Sequence, residues 1–157
     1  MEKITLAAGC FWGVEAAFRQ TPGVLETAVG YSGGHSHNPT YEDVCTGRTG
    51  HAEAVQVAFD PHKVSHAQLL NIFWQCHDPT QVNRQGPDVG TQYRSVIFYH
   101  SPQQAEAAHA AKAQLQNNKR YSQPIATDIL PASTFYNAEE YHQQYLEKRG
   151  MAQCPWK

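Results

Sequence analysis

Residues 3–20 read KITLAAGCFWGVEAAFRQ, and the hydrophobic period changes in the middle of the stretch. From Lys3 to Ala8 the side chains suit a short strand. From Cys10 to Gln20 the apolar positions Phe11, Val14, Ala17 and Phe18 recur at helical spacing, and Thr21-Pro22-Gly23 ends the run. Working outward, Val24 to Gly30 reads as a second strand and Tyr31 to Thr40 as a polar loop rich in Gly, Ser, His and Asn, a place for function rather than core. Alternation in Ala52, Ala54, Val55, Val57 and Phe59 marks a strand from about His51 to Phe59, closed by Asp60-Pro61. Ser65 with Gln68 forms the sequence pattern of a capping box, opening a helix that buries Leu69, Leu70, Ile72 and Phe73. Ser95 to Tyr99 is a strand, and Ser101 caps a helix with Pro102 at its first position and an Ala-rich body to about Gln116. Strand, helix, strand, strand, helix, strand is the order of an α+β, ferredoxin-like split βαβ two-layer sandwich. Ile125 to Leu130 adds a fifth extended segment. Asn137 with Glu140 predicts an extra C-terminal helix that Gly150 closes, followed by a flexible tail over residues 151–157.

A chain of 157 residues is long enough for one domain with its own core. Twelve Lys and Arg against 14 Asp and Glu leave a net charge of −2, which gives no electrostatic drive toward nucleic acid or an anionic membrane. The apolar run before Gly9 is shorter than a secretory signal core, and the expected location is cytoplasmic. The cysteines, at positions 10, 45, 76 and 154, show no Cys-x-x-Cys spacing. His35, His37 and His77 fit no standard zinc pattern, so no metal or other cofactor is expected.

Cys10 stands where a strand gives way to a helix. Unpaired N–H groups and the positive end of the helix dipole favour a thiolate there, the reactive form of cysteine. A small buried hydrophobe is an equally good account of Cys10 from position alone. Phe11 and Trp12 follow; Phe11 suits the core, whereas Trp12 points about 100° away around the helix and is the better candidate for a partly exposed pocket wall.

These residues resemble those of the A-type peptide methionine sulfoxide reductases. The resemblance rests on Gly9-Cys10-Phe11-Trp12-Gly13, Thr40 to Val44, Gly47 to Glu53, His77 to Thr80 and Asn83 to Ser95, with Tyr136 to Tyr145 similar to the family's last helix. It implies that Cys10 attacks the sulfoxide sulfur and becomes a sulfenic acid as methionine leaves. It further implies Glu53 as the acid, with its pKa raised by burial, and Tyr41 and Tyr93 as donors to the sulfoxide oxygen. Phe11 and Trp12 would hold the S-methyl group, and Asp88 would stand at the rim. Read without the family, Glu53 suits the solvated side of an edge strand, the tyrosines suit packing and Asp88 suits a turn.

Turnover requires the sulfenic acid to be reduced, most simply through a disulfide to a second cysteine. Cys154 in the tail is the expected partner, by likeness to the family's recycling cysteine; Cys45 is its rival, and Cys76 reads as core. The implied reductant is thioredoxin, and the implied substrates are the S-sulfoxides of oxidised proteins, peptides and free methionine, handled by a monomer. Another Cys-nucleophile reaction is the alternative within enzymes. A single-stranded nucleic-acid platform built on Tyr93, Phe98 and Tyr99 is the alternative outside them, opposed by the charge balance.

Overall fold

A computed structural model describes residues 1–118 and 121–151. In chain order the elements are β1 (Glu2–Ala8), α1 (Phe11–Arg19), β2 (Val24–Ser32), α2 (Tyr41–Cys45), β3 (Ala52–Phe59), α3 (His66–Gln75), β4 (Arg84–Gln85), β5 (Asp88–Val89), β6 (Ser95–Tyr99), α4 (Pro102–Asn117), β7 (Asp128–Pro131) and β8 (Tyr136–Asn137). The fold is mixed α+β, built on a six-stranded sheet of order β7-β6-β1-β3-β2-β8. Its pairings are antiparallel except for the parallel pair β6 and β7.

Side-chain alternation gives each face of the sheet its own packing. Ile4, Leu6, Val29, Tyr31, Val55, Val57, Phe59 and Ile97 join Phe11, Val14 and Phe18 of α1, Leu69, Leu70 and Phe73 of α3, and Ala108 of α4 in the main core. On the opposite face Ala7, Ala52, Ala54, Val96 and Phe98 form a smaller cluster closed by Phe135. The helix signals act as expected. Ser65 accepts from the Gln68 N–H and Gln68 returns the bond to the Ser65 N–H, while the Ser101 hydroxyl accepts from the Gln104 N–H. Among the described residues no helix is long and apolar enough to cross a membrane.

Three expectations need correction. Tyr31 and Ser32 belong to β2 rather than to the polar loop, and Tyr31 is fully buried. Tyr41–Cys45 is a short helix with a Thr40–Asp43 capping box, where the sequence reading had no element. The extra C-terminal helix does not form: two 3₁₀ turns, Glu140–His142 and Glu147–Arg149, stand in its place. Gln144 between them adopts φ 49°, which ends any α-helix.

This segment is held by side chains instead. Gln143 accepts from the Val29 N–H and donates to the Val29 carbonyl, lying along the edge of β2 like a further strand residue. Glu15, a buried carboxylate on α1, accepts from the Thr27 hydroxyl at 2.7 Å, from the Gln144 N–H at 2.8 Å and from the Gln144 side chain at 3.0 Å. Glu15→Ala strands these donors, and an unsatisfied buried donor costs roughly 1–3 kcal/mol. The variant is expected to lose at least that much in urea denaturation and to shift the tryptophan emission, since Trp12 packs on this segment; an unchanged midpoint would show that the segment is held without Glu15.

Candidate active site

The site forms where β1 hands over to α1. Gly9 makes the turn at φ 96°, and a Cβ there would meet the Gln85 side chain at 2.8 Å, so this position needs glycine both for its backbone angle and for its neighbour. Cys10 follows as the N-cap residue of α1 and is nearly buried. Its helix directs the Phe11 N–H at the sheet, where Glu53 Oε1 accepts it at 3.2 Å.

Glu53 lies on β3, a central strand flanked by β1 and β2, and is only 1 % exposed. The edge-strand alternative is therefore wrong: Glu53 shares its face with Val55, Val57 and Phe59, and α1 covers it. Burial pushes its pKa up to about 8 against the opposing Phe11 N–H, with the charge of Asp88 adding to the rise. Its second oxygen, Oε2, is buried with no hydrogen-bond partner.

Tyr41 begins α2 and Tyr93 sits in a 3₁₀ turn (Thr91–Tyr93); both are half-buried. Burial, followed by the charge of Glu53, holds each phenol protonated far above its ordinary range. Asp88, Cys45 and Cys10 also act on Tyr93, so the structure gathers all these groups within electrostatic reach. Asp88 is half-buried in the short β4–β5 hairpin, directly after its Gly86-Pro87 turn. The hairpin is anchored through Gln85, which accepts from the Asp78 N–H and donates to the Asp78 carbonyl.

Phe11 is buried and Trp12 half-exposed, as their helical directions imply. Phe11 lies 5.8 Å from Tyr31 and 6.5 Å from Tyr41 between ring centroids. Trp12 stacks on Tyr145 at 3.8 Å and donates through its indole N–H to His142 Nδ1 at 2.9 Å. An indole only donates, so the His142 proton resides on Nε2, which is buried without a partner. Burial lowers the His142 pKa against the opposing charge of Glu139 and favours this neutral ring.

Sequence reasoning missed Tyr31, Glu139, His142 and Tyr145. For Glu139, His142 and Tyr145 the signal is the resemblance of Tyr136 to Tyr145, which reads as a helix; Tyr31 reads as the start of the polar loop and carries no signal of its own. Of the other cysteines, Cys45 is exposed and lies within electrostatic reach of Tyr41 and Tyr93, which puts it beside the site. Cys76 caps the C-terminal end of α3 and packs against the main core. Cys154 lies outside the described residues.

The raised pKa of Glu53 has a consequence for stability. Between pH 4.5 and about 8 the folded state keeps the Glu53 proton that the unfolded chain releases, so stability falls as pH rises through that window. Glu53→Gln keeps the acceptor for Phe11 and has no proton to lose. In urea denaturation it is expected to match the parent at pH 4 and exceed it by a few kcal/mol at pH 9. A difference independent of pH would show that the carboxyl is not held neutral.

Comparison with known proteins agrees with this geometry. A family model described as peptide methionine sulfoxide reductase matches residues 2–157. The peptide methionine sulfoxide reductase of Geobacter sulfurreducens is 60 % identical over 99 % of this chain and 96 % of its own length. That of Methanoculleus marisnigri is 61 % identical over 98 % and 94 %. Among solved structures, methionine sulfoxide reductase A of Corynebacterium diphtheriae superposes with a TM-score of 0.85 at 44 % identity, covering 98 % of this chain and 77 % of that one. Reduced Mxr1 of Saccharomyces cerevisiae gives 0.89 at 40 % identity, covering 95 % and 86 %. The chain belongs to the peptide methionine sulfoxide reductase family and is an oxidoreductase that reduces methionine sulfoxide.

Proposed function

We propose that Cys10 is the nucleophile and Glu53 the acid in the reduction of the S-sulfoxide of methionine, free or within peptides and proteins. The observation that carries this reading is the orphaned Oε2 of Glu53. A carboxyl whose pKa is about 8 is mostly protonated at neutral pH, and Oε1 already accepts from the Phe11 N–H, so the acidic hydrogen sits on Oε2 with no acceptor among the described residues. A sulfoxide oxygen is an acceptor of the right kind, and it leaves sulfur only when protonated.

In this mechanism the Cys10 sulfur attacks the sulfoxide sulfur while Glu53 protonates the oxygen and Tyr41 and Tyr93 donate to it. As the protonated oxygen moves from the substrate sulfur to the Cys10 sulfur, the substrate S–O bond and the sulfur–sulfur bond made in the attack both break: the thiol becomes a sulfenic acid, a two-electron oxidation, and the sulfoxide becomes methionine. Phe11 and Trp12 offer an apolar wall to the S-methyl group, and Asp88 borders the opening. Cys154 then condenses with the sulfenic acid, releasing water and forming a disulfide. That Mxr1 has been solved in complex with Trx2 supports a thioredoxin as the reductant of this disulfide, with Cys45 as the rival resolving thiol.

The wider setting is part of the same reading. The antiparallel order β6-β1-β3-β2, with α1 and α3 against one face, supports a ferredoxin-like split βαβ core, and a single main core supports one domain.

Incubation with methionine sulfoxide and dithiothreitol tests the chemistry. Cys10→Ser is expected to form no methionine. Glu53→Gln should lose roughly 100-fold in kcat/KM, within the range that one positioned acid supplies. The parent rate should decline as pH rises through about 8, when Glu53 loses its proton. Methionine production by Cys10→Ser would remove the reading. With thioredoxin in place of dithiothreitol, Cys154→Ser should stop after about one turnover. Peptide mass spectrometry of the parent after that turnover should find Cys10 joined to Cys154; a bridge to Cys45 would reassign the resolving thiol.

A further inference from the structure

Tyr31 of β2 lies directly opposite Glu53 of β3 in the strand register, and its ring is fully buried against Phe11. It therefore moves with the sheet that carries the acid. Tyr41 is on no strand; its ring packs on Phe11 at 6.5 Å and on His142 at 4.4 Å, but the element that carries it is short. Tyr41 leads a helix of five residues, far below the length at which a helix holds itself, and the Thr40–Asp43 capping box closes that helix only onto its own backbone. Val44 buries the underside of α2, but an apolar contact is non-directional and leaves the angle of the helix about it open.

Beyond the ring of Phe11, which packs on both, one side chain is hydrogen-bonded to the two tyrosines. Glu139, in the segment after β8, accepts from the Tyr31 hydroxyl through Oε1 at 2.8 Å and from the Tyr41 N–H through Oε2 at 2.9 Å. The two oxygens of a single planar carboxylate thus set the spacing between a sheet residue paired with Glu53 and the first residue of α2. Burial acts against the ionised form of Glu139, but the N–H of Tyr41, its own backbone N–H, the Tyr31 hydroxyl and His142 outweigh it and hold the carboxyl below the usual range.

We propose that Glu139 is a positioning residue for the reductase, fixing the Tyr41 phenol relative to the Glu53 carboxyl by tying α2 to Tyr31. The proposal rests on the reading that Tyr41 and Glu53 both act on the sulfoxide oxygen. Glu139 does not touch substrate; its effect passes through Tyr41. Misplacing a donor by a fraction of its hydrogen-bond length weakens it in the transition state more than in substrate binding, so the loss belongs in kcat.

The test is a double-mutant cycle read with methionine sulfoxide and dithiothreitol, with a urea midpoint taken for every variant. Tyr41→Phe should lower kcat/KM, and Glu139→Ala should lower it about tenfold, mostly in kcat. In the Tyr41→Phe background Glu139→Ala should cost less than twofold more, because the hydroxyl it positions is already gone. Glu139→Gln should keep most of the activity, since its carbonyl can accept from Tyr41 and its amide can donate to a rotated Tyr31 hydroxyl. Tyr31→Phe preserves the buried ring and breaks the same tether, so it supplies an equivalent cycle with Tyr41→Phe if Glu139→Ala folds poorly. Equal losses in both Tyr41 backgrounds, or Glu139→Gln as impaired as Glu139→Ala, would overturn the tether. Full activity in Tyr41→Phe would instead remove the role of Tyr41 on which the tether depends.

Discussion

The hydrogen bond from the Phe11 N–H to Glu53 joins the first turn of α1 to the middle of the sheet, and the site is arranged around it. A carboxyl this deeply buried would be costly as an anion with a single donor, so the proton stays and the helix N-terminus supplies one bond to the remaining oxygen. The burial that keeps Glu53 neutral is provided by the residues that surround it. It also keeps Tyr41 and Tyr93 protonated, and charge on Glu53 would push them further in the same direction. One environment therefore accounts for an acid and two neutral phenols without a separate cause for each.

That environment has to be walled off from water, and the wall is assembled from segments with little helical or strand structure of their own. Residues after β8 run along the edge of β2 and across the flank of α1, fastened by Glu139, Gln143 and Gln144. They bring His142 to the indole N–H of Trp12 and stack Tyr145 on its ring. On the other side the β4–β5 hairpin carries Asp88 and rests on Gly9 through Gln85. A reductase of methionine sulfoxide needs an apolar recess with a few donors inside it, and here rings supply the recess while fixed side-chain bonds hold the rings.

The elements written by local signals were legible. The Ser65–Gln68 and Ser101–Gln104 caps, the strand Ser95–Tyr99 and the change of period at Gly9 each depend on neighbours within a few residues, and each formed as expected. The final segment failed for an equally physical reason. Asn137 and Glu140 resemble a helix start, but the nearby polar side chains are engaged with Val29, Tyr31 and Glu15, and these tertiary bonds outcompete a helix. The five residues of α2 escaped notice because so short a helix has no periodic face to read, although its Thr40–Asp43 cap was present in the sequence.

By itself the sequence determined that a cysteine stands at a strand-to-helix turn with aromatics behind it, and that a strand runs from about His51 to Phe59, on which Glu53 read as a solvated residue of an edge. Those are matters of position and period, which are local. Tertiary structure alone decided what covers Glu53, which of its oxygens is left without a partner, and that Glu139 joins Tyr31 to Tyr41. Such relations exist only when segments distant along the chain are packed together, because burial and hydrogen bonding act through space and not along the backbone.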